Sequence, residues 1–252
     1  MMNTLRILCV LFLITLTVQS QELIFEEHFN GDALDATVWN YELGDGCPNL
    51  CGWGNNERQI YTQDNVKIQN GYLVITAAYD GATYTSGKIN TKDNIEFQYG
   101  TVEVRAKLAV GKGIWPAIWM LGSNISEVGW PRSGEIDIME YVGKHPHEIH
   151  TTLHTPDSHG QSINTKITTS ENIEEGFHLY KAHWTKDFIK FYIDDALVYT
   201  FSPEVKDENT WPFDHPYYLI LNLAIGGNFG GPEVDDTIFP QQFLIDYVKI
   251  YK

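Results

Sequence analysis

The chain has 252 residues, of which 43% are hydrophobic and 13% aromatic, so it can bury a sizeable core and is not a disordered protein. Its 33 acidic side chains outnumber the 17 basic ones, and the net charge of −16 argues against nucleic acid or an anionic membrane as a partner. A neutral partner suits this charge better.

Residues 1–20 have the pattern of a secretory signal peptide. Arg6 supplies a positive charge, and the apolar run at residues 7–18 is too short to span a bilayer. Val18 and Ser20 suit the positions before a signal peptidase cleavage site. We therefore expect a secreted mature protein that begins at Gln21, has no membrane anchor and forms one domain over residues 21–252.

The three cysteines separate into one in the signal peptide and a close pair. Cys9 belongs to the apolar run, whereas Cys47 and Cys51 lie in the sequence Cys-Pro-Asn-Leu-Cys. In an exported protein the pair can form a local disulfide or remain as two free thiols. No spacing of cysteine and histidine resembles a zinc site.

Short stretches rich in β-branched and aromatic residues alternate with glycine, proline, asparagine and aspartate after residue 22. The pattern predicts twelve strands, at residues 23–29, 72–79, 87–91, 99–108, 117–121, 135–142, 149–154, 178–184, 188–193, 197–201, 217–224 and 243–251. With no linker or repeat to divide it, the chain is predicted to form an all-β sandwich of two antiparallel sheets.

Several side chains outside the predicted strand at residues 135–142 are candidates for ligand contacts. Asn55 lies in a Gly/Asn-rich loop, where its amide can contact hydroxyl groups or form part of a turn. Trp115, Trp119 and Trp130 flank residues 135–142 in sequence, and aromatic rings of this kind can pack against the C–H faces of a sugar. Each tryptophan can also belong to the core.

The predicted strand at residues 135–142 contains three carboxylates among apolar residues. Alternation places Glu135 and Asp137 on one face and turns Glu140 to the other. A bulge of one residue, most simply at Met139, returns Glu140 to the face of its partners. Three acids on one face repel each other, and glycoside hydrolysis requires a protonated carboxyl beside an ionised one. The alternatives are a solvated acidic face and a calcium site.

The sequence Glu-Ile-Asp-Ile-Met-Glu at residues 135–140 resembles the signature of glycoside hydrolase family 16. The extra methionine is the form found in the laminarinase-type endo-β-1,3-glucanases of that family. Further segments resemble the same group, at residues 53–57, 113–120, 129–133, 141–143 and 221–231. The resemblance covers nearly all of the mature chain, and it implies a β-jelly roll whose concave sheet forms the substrate cleft.

The resemblance implies Glu135 as the nucleophile, Asp137 as its assistant and Glu140 as the acid/base. It implies a retaining endo-glycosidase that hydrolyses neutral, laminarin-like β-1,3-glucan without a catalytic cofactor, and we expect a monomer. A mixed-linkage β-1,3-1,4-glucanase or galactanase of the same family remains an alternative. A non-catalytic glucan-binding lectin on the same fold is disfavoured, because it gains nothing from three repelling acids.

The resemblance also bears on individual binding positions. It favours substrate contact by Asn55, whereas Lys88 and Phe229 stand where the family more often has arginine and tryptophan. Lysine lacks the planar bidentate donor of arginine, which weakens the expected sugar contact. His154 ends the strand after the acidic one, so it is expected to pair with it and contact an acid, a sugar hydroxyl or only the fold.

A structural calcium ion away from the cleft is also implied by the resemblance. The matching positions are Glu27, Gly71 and Asp246, an all-oxygen set of the kind that calcium prefers. The alternative is that Asp246 merely faces solvent in the last strand.

Overall fold

The computed structural model describes residues 21–252, and the expected signal peptide at residues 1–20 lies outside the described residues. Within the described part, the chain forms two large sheets and only very short helices. None of those helices has the length and apolar character needed to cross a membrane.

Eighteen strands are present in the described chain. They are β1 (Leu23–Glu27), β2 (Asn40–Tyr41), β3 (Gln59–Tyr61), β4 (Val66–Gln69), β5 (Tyr72–Tyr79), β6 (Tyr84–Ser86), β7 (Lys88–Asn90), β8 (Glu96–Phe97), β9 (Gly100–Lys107), β10 (Ile114–Gly122), β11 (Glu135–Tyr141), β12 (Glu148–His154), β13 (Thr165–Thr169), β14 (His178–Trp184), β15 (Ile189–Ile193), β16 (Ala196–Phe201), β17 (Tyr217–Ile225) and β18 (Gln241–Tyr251). The helices are α1 (Ile125–Val128), α2 (Gly227–Gly230) and the 3₁₀ turns Cys51–Gly54, Gln63–Asn65 and Asp236–Ile238.

The strands form a larger sheet of ten and a smaller sheet of eight. The larger sheet has the order β16-β15-β14-β9-β18-β5-β6-β3, with β1 also on β18 and β4 also on β5. The smaller sheet has the order β13-β12-β11-β10-β17-β7-β2, with β8 also on β17. Among the described strands, every pairing is antiparallel except that of β3 with β6. The predicted antiparallel sandwich is therefore confirmed, with one short parallel pair added.

Period-two alternation builds the core between the sheets. In β9, Val102, Val104 and Ala106 are buried, whereas Glu103 and Arg105 on the opposite face are only half-buried. Full burial of one aliphatic side chain the size of valine contributes about 1.5–3 kcal/mol relative to exposure. The same alternation repeats along the neighbouring strands, so one continuous core joins the two sheets.

Strand β17 is the centre of the smaller sheet, and all of its residues are buried. It pairs with β10 along one edge and with β7 and β8 along the other. Leu219, Leu221 and Leu223 belong to the core between the sheets. Asn222 and Ala224 alternate with them and therefore lie on the opposite face of the sheet. That second face carries the acidic residues described below.

All twelve predicted strands are present, and six short strands were not predicted. The missed strands are β2, β3, β4, β6, β8 and β13, which have two to five residues each. The predicted start of β10, at residue 117, is three residues later than the observed start at Ile114. The prediction excluded Pro116 and the residues before it because proline is rare inside sheets. Pro116 is tolerated because it pairs only with Leu223 of β17, whereas pairing with β11 begins at Ala117.

The loop between β2 and β3 contains a disulfide between Cys47 and Cys51. This is one of the two states that the sequence left open. The bridge closes a loop next to the Gly/Asn-rich segment that contains Trp53 and Asn55.

Candidate active site

A β-bulge in β11 places all three acids on one face of the smaller sheet. Across to β12, Asp137 pairs with Thr152 and Glu140 pairs with His150. The segment from Asp137 to Glu140 therefore spans one residue more than the facing segment of β12. The extra residue restores Glu140 to the face that Glu135 and Asp137 share, as the spacing predicted.

The extra residue is Ile138 when β11 is compared with β10. Met139, where the sequence analysis placed the bulge, pairs with Ile118, and Ile138 has no partner on β10. That placement was wrong by one residue. Both side chains are almost fully buried, so the alternation of apolar residues alone does not distinguish them. Thr151 Oγ1 donates to the Ile138 carbonyl at 3.3 Å, which gives the bulged backbone a hydrogen-bond partner.

Two tryptophans hold the two glutamates by their indole N–H groups. Trp115 Nε1 donates to Glu140 Oε1 at 3.0 Å, and Trp130 Nε1 donates to Glu135 Oε2 at 2.8 Å. Trp115 is only 8% exposed, whereas Trp130 is 45% exposed and presents its ring to solvent. The structure therefore assigns to both residues a contact that the sequence analysis did not foresee, because it treated them only as surfaces for stacking.

His154 lies opposite Glu135 in the ladder, as its predicted pairing with β11 required. Its Nε2 lies 3.1 Å from Asp137 Oδ2 and 3.6 Å from Glu135 Oε1. The shorter contact does not have the angles of a hydrogen bond, since Asp137 Oδ2 is a buried atom without a hydrogen-bond partner. We therefore describe the contact between His154 and Asp137 as electrostatic.

Burial raises the pKa of all three carboxyl groups. Burial, and then repulsion from Asp137, raises the pKa of Glu135 to about 8, while His154 and the Trp130 N–H oppose this shift. Burial also raises the pKa of Asp137. Burial, with repulsion from Asp137 and Glu135, raises the pKa of Glu140 well above its usual range. Burial and mutual repulsion therefore disfavour simultaneous ionisation of the three carboxyl groups, which is the electrostatic condition for a general acid beside a carboxylate.

The cross-strand register extends the site beyond β11. It places four polar side chains in one line across the smaller sheet, through Ala117 of β10. The line consists of Lys88, Asn222, Glu140 and His150. The residues of this line share the face that carries the acids.

Lys88 and Asn55, both predicted to bind substrate, make contacts within the protein. Lys88 Nζ forms an ion pair with Glu42 Oε2 at 2.9 Å and lies 4.2 Å from the centre of the Trp53 ring. Asn55 Nδ2 donates to Glu57 Oε1 at 3.4 Å. The substrate contacts expected of both residues remain predictions.

Trp119 belongs to a buried chain of hydrogen bonds that the sequence did not reveal. Its Nε1 donates to Asn222 Oδ1 at 2.7 Å, and Asn222 Nδ2 donates to the Tyr61 hydroxyl at 3.1 Å. Tyr61 in turn donates to Glu57 Oε2 at 3.2 Å, which also accepts from Gln59 Nε2 at 2.6 Å. This network holds the Gly/Asn-rich loop against the face that carries the acids.

His150 is a site residue that the sequence analysis missed. It lies opposite Glu140 in the ladder, is 6% exposed, and contacts the ring of Phe229 at 5.0 Å. Phe229 also packs edge to face on Trp115, with ring centres 5.3 Å apart. The available signal was the spacing of four between His150 and His154, which puts both side chains on one face of β12.

The proposed calcium residues converge on one edge of β18. Glu27 of β1 pairs with Val248, and Leu73 of β5 pairs with Ile245, so the ends of β1 and β5 meet beside residue 246. Both acids already have partners. The Asp246 carboxylate accepts from Arg105, and Glu27 Oε1 accepts from the backbone N–H of Phe29 at 2.7 Å. A calcium ion here would compete with Arg105, and the site stays a prediction.

An open cleft of about 560 Å³ lies beside the acidic cluster and does not include the three acids. Arg132 and His215 are among its lining residues, and His215 Nε2 lies 3.1 Å from the Ser133 carbonyl. The cleft is therefore close to the Glu135 end of β11. We assign the chemistry to the acids of β11 and not to this cleft, because the acids that line the cleft, Asp207, Glu208 and Asp214, are exposed.

A two-sheet β-sandwich that brings two half-buried glutamates and a buried aspartate to one sheet face, with raised pKa values, has the machinery of a glycoside hydrolase. Residues 54–249 match the model of glycosyl hydrolases family 16, and the chain belongs to this family. The family and the jelly-roll fold expected from the sequence are thereby confirmed.

Three relatives illustrate the similarity. A laminarinase from Flavobacterium sp. UMI-01 has a crystal structure that is 64% identical with a TM-score of 0.90, over 92% of this chain and 100% of that one. A β-glucanase of Rhodothermus marinus is 38% identical over 92% of this chain and 85% of its own length. A glucan endo-1,3-β-glucosidase of Cryptopygus antarcticus is 38% identical over 89% of this chain and 90% of its own length.

Proposed function

We propose that this protein is a secreted, retaining endo-β-1,3-glucanase that hydrolyses neutral, laminarin-like polysaccharide. The observation that carries the proposal is the bulged strand β11, which brings Glu135, Asp137 and Glu140 to one face, where burial raises the pKa of Glu140. The names of the relatives support the same linkage. The net charge of −16 agrees with a neutral substrate.

The proposed mechanism has two steps. Glu135 attacks the anomeric carbon as a carboxylate, while Glu140 gives its proton to the departing glycosidic oxygen. The bond between that carbon and oxygen breaks, and a glycosyl ester with Glu135 forms. Ionised Glu140 then removes a proton from water, which attacks the anomeric carbon and releases Glu135. The product keeps the anomeric configuration of the substrate.

Burial, and then repulsion from Asp137, raises the pKa of both glutamates, and His154 together with an indole N–H opposes that rise at both of them. The different roles proposed for Glu135 and Glu140 therefore rest on their positions in the motif and not on the directions of these pKa shifts. Asp137 lies between the two glutamates along β11, so its charge acts on both of them.

A reducing-sugar assay on laminarin, lichenan and agarose tests the substrate. We expect hydrolysis of laminarin to be fastest, and we expect Glu135→Gln and Glu140→Gln each to hydrolyse it at least ~10²-fold more slowly. Faster hydrolysis of lichenan would indicate a mixed-linkage glucanase, and hydrolysis of agarose a galactanase. Binding of laminarin without any release of reducing ends would indicate a lectin.

Two further measurements test the parts of the proposal that concern stereochemistry and export. Proton NMR during the first minutes of hydrolysis should show the β-anomer of the new reducing end before mutarotation; an α-anomer would exclude the retaining mechanism. Terminal sequencing of the exported protein should begin at Gln21 if residues 1–20 are a signal peptide.

A further inference from the structure

Three side chains at the nucleophile end of the site have the arrangement of a metal-binding group. One oxygen each of Glu135 and Asp137 and one ring nitrogen of His154 all lie within 4.8 Å of one another. The residues come from adjacent strands, since Glu135 and His154 are direct partners across β11 and β12. The backbone ladder therefore holds them together without any ion.

The two distances from His154 are close to those between the ligands of a tetrahedral zinc ion. Zinc binds nitrogen and carboxylate oxygen at about 2.0–2.2 Å, so two ligands of one tetrahedral ion lie about 3.3–3.6 Å apart. His154 Nε2 is 3.1 Å from Asp137 Oδ2 and 3.6 Å from Glu135 Oε1. The oxygen atoms of Glu135 and Asp137 lie within 4.8 Å of each other, so binding of one ion by all three residues requires the side chains to adjust.

Asp137 supplies an independent indication of a ligand. It is 2% exposed, and its Oδ2, the atom that faces His154, has no hydrogen-bond partner. A buried carboxylate oxygen without a donor is costly, and a cation is one group that satisfies it. The Glu135 side chain is 18% exposed, so the ion and a water ligand can enter from its side.

We propose that Glu135, Asp137 and His154 form a binding site for Zn²⁺ or a similar transition-metal ion that blocks the nucleophile and inhibits hydrolysis reversibly. Two carboxylates and one imidazole suit zinc, copper and cobalt, whereas calcium prefers six to eight oxygen ligands. His154 Nδ1 is buried without a hydrogen-bond partner. Metal-binding histidines normally donate this second N–H, and its lack of an acceptor makes the site a moderate and reversible one.

Calorimetric titration of the whole protein with Zn²⁺, without substrate, tests the site directly. We expect one ion per chain, and we expect His154→Gln to weaken binding at least ~10-fold, the smallest loss typical even of outer-shell changes. Glutamine keeps an N–H donor towards Asp137 but has no ring nitrogen to bind the metal. His28→Asn, which removes an exposed histidine near Glu26, should leave binding unchanged. Ca²⁺ should not displace Zn²⁺. Equal affinity of the wild type and His154→Gln, or the absence of saturable binding, would overturn the proposal.

A spectroscopic measurement avoids dependence on any variant. Electron paramagnetic resonance of the wild-type protein with one equivalent of Cu²⁺ should show coupling to a single imidazole nitrogen; coupling to none or to several would contradict the site.

The inhibitory role of the ion also rests on the proposed function. Zn²⁺ should raise the apparent KM for laminarin at constant kcat, and a change in kcat alone would place the ion elsewhere. Because the calorimetry needs no substrate, its failure is distinguishable from a wrong substrate.

Discussion

At the scale of single residues, one strand gives similar acids different surroundings. Glu135 and Glu140 are both half-buried, and each accepts an indole N–H from its own tryptophan. His154 Nε2 lies 3.6 Å from Glu135 Oε1, whereas His150 is the residue opposite Glu140 in the ladder. The two glutamates are the same residue type, so the separate roles proposed for them depend on their positions along β11.

Replacement of either glutamate by alanine should separate their roles. Glu140→Ala should lower kcat on laminarin by about 10²–10⁴-fold, the usual contribution of general acid catalysis, but should retain activity on substrates whose leaving group needs no proton. Azide should rescue this variant and yield a β-glycosyl azide, because the intermediate on Glu135 still forms. Glu135→Ala should not form that product. We would abandon the assignment if the two variants behaved the other way round.

Replacement of Trp115 by phenylalanine should shift the alkaline limb of the pH profile. The Trp115 N–H favours the ionised form of Glu140, so its removal raises the pKa of Glu140 further. Activity requires protonated Glu140 and is lost as the pH rises through that pKa, so the alkaline limb of kcat/KM should move to higher pH. Trp119→Phe is the matched control, because its N–H donates to Asn222 and not to an acid. An unmoved limb in Trp115→Phe would count against this contact.

At the scale of elements, the bulge in β11 connects the fold to the chemistry. Without it, Glu140 would turn into the apolar layer between the sheets, where an ionised carboxylate costs several kcal/mol. The bulge is stabilised on both sides, since Ile138 and Met139 are buried and Thr151 donates to the Ile138 carbonyl. Strand β11 therefore lacks a regular pairing with β10 at Ile138, and its three acids share one face of the sheet.

Deletion and insertion in β11 should have very different effects. Deletion of Ile138 leaves Glu135, Asp137 and Glu140 in simple alternation, so the variant should fold and keep some activity, reduced by misplacement of the acid. Insertion of one alanine between Met139 and Glu140 should reduce laminarin hydrolysis to background. Circular dichroism of both variants checks that the sheet is intact. Equal activity in the two would mean that this strand does not determine the position of Glu140.

At the scale of the whole molecule, the first and last strands of the described chain pair within the larger sheet. Strand β1 pairs with β18, and the backbones of Glu22 and Lys252 exchange hydrogen bonds of 2.6 and 2.7 Å. Strand β18 also pairs with β5 and β9, so it connects distant parts of the chain. An ion bound beside residue 246 would therefore stabilise the fold at a junction of three strands.

Calcium should raise the melting temperature if Glu27, Gly71 and Asp246 bind it. An ion that binds only the folded state stabilises it in proportion to the logarithm of its concentration. We expect EDTA to lower the melting temperature and excess Ca²⁺ to restore it, with a smaller response in Asp246→Asn. Asparagine can still accept a hydrogen bond from Arg105, so the variant isolates the loss of charge. A melting temperature that EDTA does not change would contradict the site.

The sequence by itself determined the twelve main strands, the all-β class and the face shared by the three acids. Each of these three predictions depends on alternation or on a motif within a few consecutive residues. Such local patterns can be recognised in the sequence without knowing the partner strands. Strands of two or three residues such as β2 and β8 were not predictable, because they form only where a neighbouring strand offers hydrogen bonds.

Only the tertiary structure decided which residue is bulged and which groups hold the glutamates. Ile138 and Met139 are equally apolar, and the choice between them depends on the register with β10. The hydrogen bond from Trp115 to Glu140 joins residues 25 positions apart, and that from Trp119 to Asn222 joins residues 103 positions apart. Alternation specifies the face of a strand on which a side chain lies, whereas register and side-chain packing specify which side chain lies opposite it.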